Sequence, residues 1–363
     1  MGLLLQNIDK IVGRETHLKS INIELAAGSR NVILGRTLAG KTSLLRIMAG
    51  LDRPTSGRLL LDDQDVTGVS VRKRSVAMVY QQFINYPSLS VYKNIASPLK
   101  ISGIPKKEID RRVRETAEIL HLEGMLNRLP AELSGGQQQR TAIARALVKD
   151  AQLLLLDEPL VNLDYKLREE LRVELQEIFR KRSAIVVYTT TEPSEALMLG
   201  GNIVILDEGR VLQKGATASV YQQPTTLRAA EVFSDPPINA LDSEIAGRRA
   251  VMGEDIPVPL TGQLTGLADG DYRFAFRSNH PRLSSRTDAD IAIRGTVELT
   301  EINGSETFIY VHHGKSAFVV QQNGVHSFSM GNEITVFIDP KHLFVYDTAG
   351  RLVAAPPAAG SSN

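Results

Sequence analysis

The sequence predicts an α/β domain over residues 1–235 and a smaller all-β domain over 236–355, with a flexible tail at 356–363. Three observations carry this. The first is a set of continuous apolar runs: Asn31-Val32-Ile33-Leu34, Leu153-Leu154-Leu155-Leu156, Ala184-Ile185-Val186-Val187 and Ile203-Val204-Ile205-Leu206. Such runs suit strands buried on both faces of a largely parallel sheet. The second is helical periodicity between them. Over 106–122, Ile109, Val113, Ala117 and Leu120 recur on one face, and Glu108/Arg112 and Asp110/Arg114 can pair one turn apart outside. Leu167, Leu171, Leu175 and Ile178 mark another helix. The third is a change of character at Asp235-Pro236-Pro237, after which short segments at 272–276, 293–299, 307–311, 317–320 and 334–338 are separated by Gly, Asn and Asp. Short strands spaced by turn residues predict a small barrel or sandwich. The end, from Ala354 through Pro356-Pro357 to Asn363, is too small and polar to bury itself.

At 363 residues the chain exceeds what one core fills, in keeping with two domains. Its 42 Lys and Arg against 41 Asp and Glu leave a formal charge of +1, which disfavours a nucleic-acid partner. The absence of Cys excludes disulfides, thiolate metal sites and Cys nucleophiles. The opening residues Met1-Gly2-Leu3-Leu4-Leu5-Gln6 lack a basic leader, so no secretory signal is expected. No stretch approaches the ~18 uninterrupted apolar residues of a membrane span. Any membrane role is therefore expected to run through a partner.

Gly35-Arg36-Thr37-Leu38-Ala39-Gly40-Lys41-Thr42 has the spacing of a phosphate-binding loop, follows a predicted strand and opens a helix at Ser43. Glycines let backbone N–H groups turn inward around phosphate oxygens, and the helix N-terminus adds positive potential. Gly35, Arg36, Thr37, Leu38, Ala39, Gly40, Lys41, Thr42 and Ser43 are thus expected to line a nucleotide, with Lys41 on the terminal phosphates and Thr42 on Mg²⁺. Leu153-Leu154-Leu155-Leu156-Asp157-Glu158 brings two carboxylates to the end of a buried strand. Asp157 is expected to hold Mg²⁺ and Glu158 to polarise the attacking water. Leu133-Ser134-Gly135-Gly136-Gln137 supplies a Ser-capped helix with bare N-terminal amides, suited to anionic oxygens.

With these three motifs in this order, the sequence resembles the ATP-binding-cassette (ABC) ATPases. The resemblance implies a P-loop nucleotide-binding domain with a helical subdomain at about 88–150. It also implies head-to-tail pairing of two cassettes, each ATP lying between the phosphate loop of one and the signature helix of the other. Gln81 matches the glutamine that senses Mg²⁺ and the γ-phosphate. The segment from Asn85-Tyr86-Pro87 to Val91 matches the surface that receives a membrane subunit. Asp164, in Leu160-Val161-Asn162-Leu163-Asp164, matches the dimer-contact loop, so Ser134, Gly135, Gly136, Gln137 and Asp164 are expected to act on the partner's ATP. Five short segments look like the C-terminal OB-like regulatory domain of maltose- and glycerol-phosphate-type importers: Tyr221-Gln222-Gln223-Pro224, Pro236-Pro237-Ile238-Asn239, Gly295-Thr296-Val297-Glu298, Gly304-Ser305-Glu306-Thr307 and Ile338-Asp339-Pro340.

Two positions depart from the family pattern. Val12 stands where an aromatic residue stacks on adenine, losing a term of about 1 kcal/mol. Thr191 stands at the switch-histidine position, and a neutral hydroxyl cannot supply an imidazolium. Arg36, Leu38 and Ala39 are also unusual within the loop. The altered residues serve the chain's own ATP, whereas those serving a partner's are intact. The expectation is an energy-coupling ATPase subunit, degenerate in its own site, paired with a second, non-identical cassette. Two integral membrane permeases and a periplasmic or extracellular solute-binding protein would complete an importer of a small polyol, sugar or sugar phosphate. The Thr-Thr-Thr-Glu-Pro segment and the unlike pairing resemble bacterial glycerol uptake systems. The implied place is the cytoplasmic face of the inner membrane. The alternatives are a soluble, non-transport ABC ATPase and a nucleotide-binding regulatory subunit without turnover.

Overall fold

A computed structural model describes residues 2–82, 84–161 and 163–357. The chain divides into two compact units, Met1–Thr217 and Ala218–Asn363. The tail expected at 356–363 lies, from residue 358 onward, outside the described residues, as do Phe83 and Asn162, the latter in the expected dimer-contact loop.

In the first unit a six-stranded sheet runs in the order β10-β9-β3-β8-β7-β6. Its members are β3 (Arg30–Leu34), β6 (Val76–Val79), β7 (Leu153–Asp157), β8 (Ile185–Thr190), β9 (Asn202–Asp207) and β10 (Arg210–Ala216). All neighbours are parallel except the edge strand β10. The four apolar runs are the four central strands β7, β8, β3 and β9, and their aliphatic side chains are buried. The phosphate loop therefore leaves the middle of the sheet, at the carboxyl ends of the strands, where open α/β sheets bind ligands. A second, antiparallel sheet, β2-β1-β4-β5, is built from β1 (Gly2–Val12), β2 (Glu15–Ala26), β4 (Ser56–Leu61) and β5 (Gln64–Asp65). Leu3, Leu5, Ile21 and Ile23 of this sheet share one core with Leu44, Leu45 and Met48 of α1 (Lys41–Ala49) and with Leu155 and Val187.

Three helices, α2 (Val91–Ile101), α3 (Lys106–Ile119) and α4 (Gly135–Leu147), form the helical part between β6 and β7. The helix expected over 106–122 stops at Ile119, because His121 turns to φ 53° and the Leu122 N–H folds back onto the Ala117 carbonyl. Its outer pairs form as spaced, Arg112 to Glu108 at 2.6 Å and Arg114 to Asp110 at 2.9 Å. Leu171, Leu175 and Ile178 are buried along α5 (Tyr165–Arg180), and α6 (Pro193–Leu199) follows β8.

The second unit contains two antiparallel sheets, β13-β12-β11-β14-β19-β20 and β17-β16-β15-β18. They comprise β11 (Asn239–Ala246), β12 (Arg249–Met252), β13 (Ile256–Val258), β14 (Gly270–Phe276), β15 (Ile291–Ile302), β16 (Glu306–His313), β17 (Ser316–Asn323), β18 (Glu333–Ile338), β19 (Phe344–Asp347) and β20 (Leu352–Ala354). Leu241, Phe274, Phe276, Ile293, Ile309, Phe318 and Val336 fill the core. The unit begins at Ala218, upstream of the expected break at 235/236, for a packing reason. Leu227 and Ala230 of the short helix Leu227–Val232 share a buried cluster with Ile238, Phe344 and Tyr346, and the Arg277 guanidinium lies 3.6 Å from the Tyr221 ring centre.

His280 stacks on His342 in this unit, ring centres 4.5 Å apart. Burial, with the neighbouring His342 and Arg277 charges, pushes the His280 pKa down to about 3. A depressed folded-state pKa means that the unfolded chain takes up the proton first. The contribution is therefore intact above about pH 6.5 and is lost as pH falls toward 3. Calorimetric melting of the full chain at pH 7 and pH 5 should show His280→Gln losing about 2 kcal/mol less than the parent over that interval. Identical losses would contradict this.

Candidate functional site

Gly35 directly follows β3, and its N–H donates to the Thr190 carbonyl at 3.2 Å. A Cβ there would sit 2.3 Å from the Leu206 carbonyl oxygen, so only glycine lets the loop turn this close to β9. Gly40 adopts φ 103° at the N-cap of α1, where a Cβ would stand 2.6 Å from the His17 carbonyl oxygen. No side chain caps this helix, which leaves its leading amides open. Ala39 faces the core, whereas Arg36, Thr37 and Leu38 are exposed, Leu38 at 96%. Leu38 also holds φ 67°, a left-handed conformation that a branched side chain rarely adopts. The Ser43 hydroxyl is engaged with His17 Nδ1 at 3.0 Å.

Lys41 is buried, at 4% exposure. Its ammonium donates to the Gly35 carbonyl at 2.8 Å and the Arg36 carbonyl at 3.0 Å, and pairs with Glu158 Oε1 at 3.1 Å. Its three donors are thereby matched by two loop carbonyls and one carboxylate. Gln81 Nε2 donates to the other carboxylate oxygen, Glu158 Oε2, at 3.2 Å. Glu158 follows β7 with φ 42°. Asp157, 2% exposed, is raised in pKa chiefly by burial. Hydrogen bonds from Thr42 and Thr189 oppose that rise, the Glu158 charge adds to it and the Lys41 charge opposes it. The fold thus gathers Lys41, Thr42, Gln81, Asp157 and Glu158 around the carboxyl ends of β3, β6 and β7.

Thr191 lies half-buried between β8 and α6, and its hydroxyl has no hydrogen-bond partner among the described residues. Its turn is fixed from below by the buried Glu195, whose Oε2 accepts from Tyr188 Oη at 2.9 Å and Thr190 Oγ1 at 2.6 Å. Burial raises the Glu195 pKa. Val12, 48% exposed, ends β1 at the hairpin turn.

Ser134 caps α4 reciprocally with Gln137: the Gln137 N–H donates to Ser134 Oγ at 3.4 Å, and the Ser134 N–H to Gln137 Oε1 at 3.1 Å. A Cβ on Gly135 would meet nothing within 4 Å, whereas one on Gly136 would collide with Leu167 Cδ2 at 1.8 Å. Asp164 caps α5 through the Leu167 N–H at 3.0 Å. The tips of α4 and α5 are therefore neighbours, and no hydrogen bond or ion pair among the described residues joins either to the phosphate loop.

Spacing alone missed several organising residues. Asn94, wholly buried, accepts from the Tyr86 N–H at 2.8 Å and donates to the carbonyls of Tyr86, Leu89 and Ser90. It shapes the segment following Gln81, in which Ile84 and Tyr86 remain 53% and 45% exposed. Asn85 Nδ2 bonds the Gln138 carbonyl at 2.8 Å, and Arg145 covers the Tyr86 ring at 4.8 Å, which ties this surface to α4. No motif or spacing in the sequence marks Asn94 for this role.

The parallel sheet, the lysine-bearing loop and the acidic strand end define a P-loop ATPase domain followed by a β domain. Residues 18–161 match the family model "ABC transporter" and residues 274–345 match "TOBE domain". The trehalose/maltose import ATP-binding protein MalK of Thermococcus litoralis is 35% identical, over 97% of this chain and 99% of that protein. The sn-glycerol-3-phosphate import ATP-binding protein UgpC is 35% identical in Salmonella typhi, over 97% and 99%, and 34% identical in Escherichia coli K12, over 95% and 98%. The ATP-binding cassette MJ0796, solved as a dimer in a post-hydrolysis state with ADP and Pi, superimposes with a TM-score of 0.54. It is 29% identical and covers 59% of this chain and 98% of that one. The chain belongs to the ABC transporter family, as a transport-coupled, ATP-binding ATPase subunit with a C-terminal, OB-like TOBE domain. No helix among the described residues is long and apolar enough to cross a membrane.

Proposed function

We propose that this chain is the energy-coupling subunit of an importer for a small polyol, sugar or sugar phosphate, glycerol among the candidates. The observation that carries the reading is the convergence of Lys41, Gln81, Asp157 and Glu158 on one strand end, while no hydrogen bond or ion pair among the described residues joins the α4 tip to them. The relatives, import ATP-binding proteins for trehalose/maltose and for sn-glycerol-3-phosphate, support the solute class. ATP would lie along residues 35–43 with Val12 against its base. Lys41 would turn from Glu158 to the terminal phosphates, releasing Glu158 to orient water. Thr42, Asp157 and Gln81 offer oxygen donors fitting a hard cation, and the Thr42–Asp157 contact already brings two of them together. When bound there, Mg²⁺ would neutralise developing phosphate charge. Ser134, Gly135, Gly136, Gln137 and Asp164 would close over a neighbouring cassette's ATP. The surface of Ile84 and Tyr86 would receive a permease subunit and pass on the closure by rigid-body rotation. The chain would act peripherally at the cytoplasmic face of the inner membrane, with two permeases and a solute-binding protein.

Thr191 and Val12 favour an unlike partner. They weaken the chain's own ATP site, and Ser134 to Gln137 keep the elements a competent partner needs. Purified alone with Mg-ATP, the chain should hydrolyse slowly, and Thr191→His should raise the rate about 10- to 100-fold. Affinity purification from membranes should bring down two permeases and a second cassette that carries a histidine at this position. A brisk ATPase of the chain alone would remove the case for an unlike partner, and recovery without permeases would favour a non-transport ATPase.

A further inference from the structure

Thr189-Thr190-Thr191 sets three consecutive hydroxyls at the end of one strand, and they meet three different fates. Successive side chains of a strand point to opposite faces. Thr190 turns to the buried Glu195, Thr191 has no partner among the described residues, and Thr189 turns to the site. Thr189 is wholly buried and lies opposite Asp157 in the β7–β8 register. Its Oγ1 donates to Asp157 Oδ1 at 2.9 Å, and the same oxygen accepts the Glu158 N–H at 3.0 Å. The Leu156 carbonyl, at 3.4 Å, is the weaker claimant on its single proton.

One hydroxyl is thus bonded to both acidic residues, to the side chain of the first and the backbone of the second. Glu158 sits at φ 42°, outside the conformations that glutamate adopts freely, so its peptide needs an outside anchor. The other groups facing Asp157 are Thr42, Lys41 and Glu158 itself. The last two are already bonded to one another, and Lys41 also to the loop. Of the groups around Asp157, Thr189 is the one whose bonds reach both acids and no part of the phosphate loop.

We propose that Thr189 is a positioning residue for the Mg²⁺–ATP site: its hydroxyl locks the Asp157 carboxylate toward the cation and holds the strained Glu158 peptide in place. The inference rests on the reading that Asp157 and Thr42 hold Mg²⁺ beside ATP at Lys41. Its signature is selective. ATP affinity without Mg²⁺ depends on the loop and Lys41, which Thr189 does not touch, whereas the gain in affinity on adding Mg²⁺ depends on Asp157. Losing a group that orients a metal-holding side chain reduces metal affinity about 10- to 100-fold.

The test is calorimetric titration of the full chain with ATP, in EDTA and in Mg²⁺, for the parent, Thr189→Val, Thr189→Ser and Lys41→Ala. Valine preserves the shape and removes the hydroxyl; serine restores it. Thr189→Val should leave EDTA affinity within about twofold and reduce the Mg²⁺-dependent gain about tenfold, with Thr189→Ser close to the parent. A Thr189→Val gain equal to the parent's overturns the inference, as does an equal loss in EDTA and Mg²⁺, which would mark a general structural role. If the valine variant does not fold, Thr189→Ala is compared with Thr189→Ser by the same ratio. Binding that Lys41→Ala leaves unchanged, or a parent with no Mg²⁺ gain, refutes the underlying site assignment instead.

Discussion

Lys41→Ala should weaken ATP binding at least about 100-fold and abolish hydrolysis at the chain's own site, measured by titration and by single-turnover assay of the full chain. The magnitude follows from what the ammonium touches. It holds two loop carbonyls and the Glu158 carboxylate within 3.1 Å in a nearly closed environment. Removing it deletes a charge-assisted bond to the incoming triphosphate, worth about 1.5–3 kcal/mol. It also leaves Glu158 uncompensated, so that the carboxylate repels the phosphates it would otherwise face across a cation. Lys41→Arg should not rescue, because a planar fork does not fit two carbonyls and a carboxylate converging on a point charge. Melting temperature need not fall with activity: Lys41→Ala relieves the confinement of a buried charge while losing the loop clasp. Parent-like ATP affinity in Lys41→Ala would remove the site from this loop.

Ser134→Arg should leave the chain's own ATP affinity unchanged and cut the ATPase of the assembled transporter by about 100-fold or more. The hydroxyl and the Gln137 amide cap one another at the tip of α4, and Gly135 beside them is open to solvent. An arginine there fills the space over the bare amides and withdraws the cap. Helix stability falls by only about 1 kcal/mol, so the fold should survive while the tip no longer meets a phosphate. The separation of effects is the informative feature, since a residue that acts on a neighbour's nucleotide spares its own. Loss of ATP binding by the isolated Ser134→Arg chain would indicate that the tip acts within the same chain.

The parallel sheet and the ends of its strands were legible because each rests on contiguous sequence. Leucine runs named β7, the lysine loop named the turn after β3, and Ser134 with Gln137 named a capped helix. The antiparallel sheet was not. The alternation of Leu3 and Leu5 breaks before Ile8, where the β1–β2 register shifts and Asn7 turns to φ 49°. In β11 two of the four inward residues, Asn239 and Ser243, are polar, which hides the strand from an apolar pattern. Phosphate-loop spacing gave Lys41, yet the pairing with Glu158 joins residues more than a hundred positions apart, and Thr189 and Asn94 act through hydrogen bonds that no spacing rule encodes. The domain boundary followed packing of Leu227 and Ala230 rather than the Pro-rich break at 235–237.

The head-to-tail arrangement of cassettes is tested most directly by nucleotide-dependent cross-linking. The chain contains no cysteine, so a single introduced thiol is the only one it contributes. Gly135→Cys in this chain faces open space. Its counterpart goes into the neighbouring cassette of the assembled transporter, at the position matching Leu38, which is 96% exposed in the phosphate loop here. With hydrolysis slowed by Glu158→Gln and its counterpart, a short bis-maleimide should join the two cassettes when ATP and Mg²⁺ are present and fail to join them without nucleotide. Equal cross-linking with and without ATP, or none in either state while the complex remains intact, would contradict a nucleotide enclosed between one cassette's loop and the other's helix tip.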